Sequence, residues 1–193
     1  MTKILGTFIL LLTSLIFVQA DDFKMKQPQT KRIWLGADYW ANRIQDWQIN
    51  DGKIECVASN WNRNISLLTY RIGEETGSFQ MSAEVKILNE TASSRNWVGF
   101  RLASKGEFND YRDDAIYGIG LNVGITTNGE LFIGETPVKY VKNAEGVKPY
   151  LKEGVILKAT ATPAGENYKV EITGTRIANN ELLSSEAHVK VSV

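Results

Sequence analysis

Alternation between apolar and polar residues constrains the fold of this chain more than any other feature of its sequence. In the segment SFQMSAEVKIL, residues 78–88, every second position is apolar: Phe79, Met81, Ala83, Val85 and Ile87. Successive side chains of a β-strand point to opposite faces, so a period of two predicts a strand with one buried face. The segment NYKVEITGT, residues 167–175, repeats the pattern, with Tyr168, Val170 and Ile172 predicted to face inward.

Further short segments with the composition of strands follow one another along the chain, at residues 53–58, 65–71, 96–103, 118–126, 130–134, 155–162 and 187–193. Turn residues separate them, and Asn128-Gly129 is typical of a tight hairpin turn. No segment has a sustained apolar period of 3.6 residues. The sequence therefore predicts an all-β fold, an antiparallel β-sandwich or jelly roll.

The N-terminal segment MTKILGTFILLLTSLIFVQA, residues 1–20, has the features of a secretory signal peptide. Lys3 precedes an apolar stretch that runs from Ile4 to Val18, and the segment ends in small residues at Ala20. The stretch is short for a membrane-spanning helix. We expect cleavage after Ala20 and a secreted or periplasmic mature chain with no membrane span; the alternative is a retained N-terminal anchor.

The predicted organisation is a signal peptide at residues 1–20, a linker at 21–32 and a β-sandwich domain at 33–193. The alternation Ala187, Val189, Val191, Val193 continues to the last residue. This pattern predicts either a domain truncated at its C-terminus or a short homologue in which this strand closes the sandwich.

Charge and residue counts argue against several functional classes. The chain has 22 Lys and Arg against 22 Asp and Glu, so it lacks the basic surplus that nucleic-acid binding requires. It has one cysteine, Cys56, and one histidine, His188, too few for a zinc or binuclear metal centre. Cys56 lies in a strand-like segment and is predicted to be a small buried apolar residue. We therefore predict no enzymatic activity, no catalytic residue and no required cofactor.

The segment GEFNDYRDDAIY, residues 106–117, contains the highest local density of acidic residues and has two interpretations. Asp110, Asp113 and Asp114 could hold a calcium ion together with backbone carbonyls. Alternatively, the segment is a polar turn between two strands, in which Arg112 pairs with an aspartate and local side-chain-to-backbone hydrogen bonds shape the chain. The second interpretation is favoured, and the calcium site is retained as a hypothesis.

Aromatic residues provide the candidate ligand site. An aromatic ring offers a flat apolar face and suits the recognition of sugars or polymer surfaces. Trp61 lies in the asparagine-rich segment SNWNRN and is predicted to be exposed, whereas Trp97 is predicted to lie in the core. The candidate ligand-binding residues are Trp61, Asn62, Arg63, Trp40 and Tyr39. The alternative is that most tryptophans fill the core.

The segments YWANRIQDWQINDGKIEC, NRNISLLTY and NWVGFRLASKGEFNDYRDDAIYGIGLNVGITTNGELFIG resemble, in the same order, the N-terminal region of secreted proteins of the alkaline phosphatase D family. The similarity runs from about Trp34 to Gly134. In that family a β-sandwich similar to concanavalin and laminin-G domains precedes a metallophosphatase domain. The resemblance implies the same sandwich here.

Nothing in this chain resembles the phosphatase domain, so no catalytic residue of the family can be assigned to it. Two functions follow. The first is an exported, non-catalytic accessory module that binds a glycan or another ligand. The alternative is an N-terminal fragment of a phosphoester hydrolase whose catalytic domain is absent from this chain, and which would be its partner.

Overall fold

The computed structural model describes residues 23–58, 60–69, 77–89, 96–108, 110–134 and 147–189, with the side chains of residue 111 and residues 185–189 excepted. The predicted signal peptide, the side chain of His188 and the predicted strand positions beyond Val189 lie outside this description.

Strands dominate the described residues, and the predicted all-β antiparallel sandwich is confirmed. The strands are β1 Tyr39–Asn42, β2 Trp47–Asn50, β3 Lys53–Cys56, β4 Asn64–Leu67, β5 Phe79–Val85, β6 Trp97–Lys105, β7 Ile119–Thr126, β8 Leu131–Ile133, β9 Val155–Ala164, β10 Asn167–Arg176 and β11 Leu182–Val189. The helical elements described are short: a 3-10 turn Ile44–Asp46, α1 Tyr111–Ile116 and α2 Tyr150–Glu153. The last strand begins earlier than the predicted residue 187.

Two sheets form the sandwich and share one core. The first has the strand order β11-β10-β9-β5 and the second the order β6-β7-β8, and all neighbouring strands are antiparallel. Leu102 and Val123 of the second sheet pack with Ala159, Val170 and Ile172 of the first. Burial of these apolar faces against each other is the main favourable term in the stability of such a fold.

The predicted inward faces are largely correct. Val170 and Ile172 are buried, and Tyr168 and Phe79 pack at the margin of the same core. Met81 is the exception, because 40% of it is exposed although its position in β5 has the inward register. The alternation therefore identifies the faces of the sheet but not where the core ends.

The predicted hairpin at Asn128-Gly129 is confirmed, since β7 and β8 pair on either side of it. Of these two turn residues, Gly129 but not Asn128 has a positive φ, of 80°, which a residue with a side chain rarely adopts. The Gly129 N–H donates to the carbonyl oxygen of Thr126 at 2.9 Å and closes the turn.

The hairpin turn is fastened to the opposite sheet through Tyr150. The Tyr150 hydroxyl donates to the Gly129 carbonyl oxygen at 3.0 Å, and the Arg176 guanidinium lies 4.0 Å from the centre of the Tyr150 ring. Burial raises the pKa of the Tyr150 hydroxyl. The ring thus contacts both β10 and the β7–β8 turn.

Replacing Tyr150 with phenylalanine should lower the free energy of unfolding by about 1 kcal/mol, because the Gly129 carbonyl loses its donor while the ring packing is retained. Urea unfolding followed by circular dichroism measures the change. Tyr117→Phe is the matched control, since Tyr117 is 74% exposed and should show no measurable change. Equal stabilities of the two variants would contradict the assigned hydrogen bond.

The N-terminal strands form a separate small cluster, in which β3 and β4 confirm the predicted strands at residues 53–58 and 65–71, whereas β1 and β2 were not predicted. Strand β1 pairs with β4, and β2 pairs with β3, as two-stranded antiparallel sheets. Leu35, Ala41 and Ile49 are the buried residues of this cluster. Helix α1 contacts β1, β4 and β6, so it connects the cluster to the second sheet of the sandwich.

Candidate functional site

Asp110 directly precedes helix α1, and its carboxylate is bound by Arg112. Its carboxylate accepts a hydrogen bond from the Arg112 backbone N–H at 2.8 Å and forms an ion pair with Arg112 Nη2 at 2.7 Å. These hydrogen bonds from Arg112 lower the pKa of the Asp110 carboxyl. This arrangement is an N-cap, and the predicted pairing of Arg112 with an aspartate is confirmed.

The other two aspartates fasten the loop before the helix. Asp113 Oδ2 accepts from the Phe108 N–H at 3.0 Å, and Asp114 Oδ1 accepts from the Gly106 N–H at 2.6 Å. The predicted polar turn is therefore a short capped helix with a tethered loop. No group of three or more His, Cys, Asp or Glu side chains that could hold a metal ion occurs among the described residues. The calcium site at these aspartates stays a prediction.

Asparagine side chains from β4 and the turn before it cap the other end of α1. Asn62 Nδ2 donates to the Ile116 carbonyl oxygen at 3.0 Å, and Asn64 Nδ2 donates to the Ala115 carbonyl oxygen at 2.8 Å. The last carbonyls of a helix have no partner within the helix, so these amides satisfy them. The predicted ligand residue Asn62 thus has a structural contact of its own.

Arg63, another predicted ligand residue, is drawn inward by an ion pair. Its Nε lies 2.5 Å from Asp46 Oδ2, and the two side chains are only 10% and 13% exposed. The Nε–H does not point along a hydrogen-bond direction to that oxygen, so the contact is an ion pair without an aligned hydrogen bond. Arg63 Nη1 also donates to the Trp61 carbonyl oxygen at 3.1 Å and braces the turn.

Tyr39 and Trp40 lie in β1 and are half-buried, opposite Leu67 and Ser66 of β4. The Tyr39 ring packs against the small N-terminal core, and its burial is the main cause of the raised pKa of its hydroxyl, to which the negative charge of Asp38 adds. The Tyr39 ring is therefore part of the small cluster, whereas the neighbouring Trp40 points to the opposite face of β1.

Trp61 differs from the other predicted ligand residues, because 80% of it is exposed. It occupies the turn before β4, and its backbone N–H donates to Asn60 Oδ1 at 2.8 Å. The structure therefore confirms its predicted exposure. The neighbouring Asn62 joins this turn to the last residue of α1, next to Tyr117.

A cleft beside α1 was not identified from the sequence. It has a volume of about 620 Å³, and its walls include the exposed apolar side chains of Phe108, Tyr117 and Ile119. Phe108 and Tyr117 lie within the segment 106–117, on either side of its three aspartates. The sequence could have indicated this exposure, because large apolar residues next to a polar turn are candidates for lying at the surface.

Two other predictions from the sequence need correction. Trp97 is 37% exposed rather than a core residue, because it lies at the end of β6 and packs edge-to-face on Phe132 at a ring distance of 5.2 Å. Cys56 is half-buried rather than fully buried at the end of β3. Desolvation is the main cause of the raised pKa of its thiol.

Within the described part of the chain, no helix has the length and apolar character needed to cross a membrane. Comparisons of the chain with models of known protein families, with curated proteins and with solved structures found no match.

Proposed function

We propose that this protein is an exported, non-catalytic β-sandwich module that binds carbohydrate or another hydroxyl-rich ligand. The exposed ring of Trp61 is the observation that carries the proposal. Exposure of a tryptophan ring to water is unfavourable. Burial of apolar surface contributes on the order of 25 cal/mol per Å², which amounts to several kcal/mol for a whole ring. Exposed aromatic rings are correspondingly enriched where a partner covers them.

The Trp61 turn is held in place before any ligand arrives. The Arg63 side chain braces the Trp61 carbonyl, and Asn62 links the turn to α1. A ring presented by a rigid turn loses little conformational entropy on binding. The apolar stretch that ends at Ala20 supports the export part of the proposal.

A glycan array probed with the wild-type protein and with Trp61→Ala tests this function. We expect the wild type to bind at least one class of glycan and the variant to lose about tenfold or more of the affinity, the scale of an exposed binding hot spot. Trp34→Ala is the matched control, because Trp34 is also exposed, at 55%, but lies against Arg32 elsewhere in the chain. Binding unchanged by Trp61→Ala would contradict the role of Trp61, and absence of binding by the wild type would favour a purely structural module.

The resemblance of residues 34–134 to the alkaline phosphatase D family favours a second proposal. In it, this chain is the N-terminal part of a phosphoester hydrolase and contributes to hydrolysis only with the metallophosphatase domain. Extending the gene sequence beyond Val193 tests it. An open reading frame rich in histidine and aspartate would support the proposal, and a stop codon directly after Val193 would contradict it.

A further inference from the structure

Asn128-Gly129 is the only Asn-Gly pair in the sequence, and such a pair can modify itself. The Gly129 backbone nitrogen can attack Cγ of the Asn128 side chain, because glycine has no Cβ atom to hinder the approach. A bond forms between Gly129 N and Asn128 Cγ, and the side-chain nitrogen leaves as ammonia with the proton that Gly129 N gives up. Water then opens the succinimide ring at either carbonyl carbon, which yields aspartate or isoaspartate.

The Gly129 nitrogen is engaged in the folded β7–β8 turn. Its N–H donates to the Thr126 carbonyl oxygen at 2.9 Å, and the Thr126 N–H donates to the Glu130 carbonyl oxygen at 2.9 Å. The Glu130 N–H donates in turn to the Thr126 hydroxyl at 3.2 Å. Hydrogen bonds therefore fix the backbone on both sides of the Asn-Gly pair, and Gly129 N must leave its own hydrogen bond before it can lose its proton and attack.

Tyr150 fastens the same turn from the opposite sheet. Its hydroxyl donates to the Gly129 carbonyl oxygen at 3.0 Å, and a Cβ atom at Gly129 would overlap that hydroxyl. The Arg176 guanidinium lies 4.0 Å from the centre of the Tyr150 ring and pairs with Glu181 at 2.7 Å, so the ring is itself held. Desolvation is the main cause of the raised pKa of the Tyr150 hydroxyl. The hydroxyl therefore keeps its proton in mildly alkaline solution, where the attacking nitrogen is deprotonated most readily.

The surroundings of Asn128 also disfavour the product. Asn128 Oδ1 is buried, and no donor in the described part of the chain binds it. Deamidation replaces this neutral amide with a carboxylate. A negative charge placed at a buried atom without a donor is costly, so the modified turn should be less stable than the original.

We infer that Asn128 is a deamidation site that the folded hairpin keeps latent, and that the Tyr150 hydroxyl is the group that holds the turn closed. The modification proceeds from the fraction of molecules in which the turn is open, since opening and closing are fast compared with the reaction. Its rate therefore reports the local stability of the β7–β8 turn. The site is separate from the residues proposed to bind carbohydrate.

Incubation of the purified protein in mildly alkaline buffer, followed by peptide mass spectrometry and detection of isoaspartate, tests the site. We expect deamidation at Asn128 to be about tenfold or more slower in the folded protein than in the same protein unfolded in urea. Tyr150→Phe should raise the rate in the folded protein about fivefold, because the net loss of one hydrogen bond shifts the opening equilibrium by about that factor.

Two controls distinguish local opening of the turn from general loss of stability. Tyr117→Phe removes the hydroxyl of an exposed tyrosine, and its Asn128 should deamidate at the wild-type rate. Asn62→Ala removes a hydrogen bond at the end of α1, away from the turn, and should also leave the rate at Asn128 unchanged. Asn128→Asp carries the charge of the product and should unfold at a lower urea concentration than the wild type.

Each part of the inference has a result that would overturn it. Absence of deamidation at Asn128 in the unfolded protein overturns the site, and equal rates in the folded and unfolded wild type overturn protection by the hairpin. A wild-type rate in Tyr150→Phe overturns the role of the Tyr150 hydroxyl. Equal acceleration by Asn62→Ala and Tyr150→Phe overturns local opening in favour of global unfolding. Wild-type stability of Asn128→Asp overturns the cost assigned to the product.

Discussion

Replacement of Ile172 by alanine is expected to lower the free energy of unfolding by about 2–5 kcal/mol. Ile172 is fully buried in β10, between the two sheets, where it packs with Leu102, Val123 and Ala159. Removing three carbons there loses their transfer free energy and leaves a cavity that the surrounding strands can fill only in part. Urea or thermal unfolding of the purified protein measures the loss.

Ile156→Ala is the control for this experiment. Ile156 belongs to the neighbouring strand β9 and is 44% exposed, so the same deletion should cost less than about 1 kcal/mol. If both variants lost the same stability, the assignment of inward and outward faces in this sheet would be wrong.

Replacement of Asp46 by asparagine is expected to cost about 2–4 kcal/mol, because it leaves the mostly buried Arg63 guanidinium without its counter-charge. The loss comes from the unpaired charge and not from the packing, since asparagine keeps the shape of the side chain. The double variant Asp46→Asn, Arg63→Met should therefore be less destabilised than the sum of the two single variants. A double-mutant cycle of unfolding free energies measures that difference.

The pair Lys169–Glu171 provides the comparison for an exposed contact. Its atoms are 3.2 Å apart, but the side chains are 35% and 42% exposed. Glu171→Gln should change the free energy of unfolding by less than about 1 kcal/mol. A cost for Asp46→Asn no larger than this would show that the Arg63 pair is hydrated in solution.

The strands of the sandwich were predictable because each carries its own signal. The alternation in β5 and β10 reports local geometry, and Gly129 supplies the positive φ of the hairpin turn. The small cluster around Leu35, Ala41 and Ile49 was not predictable in this way. Strands β3 and β4 of this cluster coincide with the predicted strands at residues 53–58 and 65–71, but β1 and β2 are only four residues long, so a period of two has too few positions to stand out there.

The candidate site was only partly predictable, since exposure depends on tertiary contacts. The composition of SNWNRN correctly indicated that Trp61 lies in water. The same composition suggested Asn62 and Arg63 as ligand residues. In the structure Asn62 donates a hydrogen bond to the Ile116 carbonyl and Arg63 pairs with Asp46, and both partners are distant in sequence. Phe108 and Tyr117 converge on one cleft only because Asp113 tethers the loop to the helix, and no spacing rule encodes that contact.

The hydrogen bonds from Asn62 and Asn64 to the end of α1 span 54 and 51 residues of sequence. Contacts of such separation form slowly, because the entropy of closing a long loop must be lost before they contribute. During synthesis the Trp61 turn therefore waits for residues up to Ile116 to emerge before it acquires its final support. The turn that carries Trp61 is therefore built by two parts of the chain that are distant in sequence, and it is complete only after both have met.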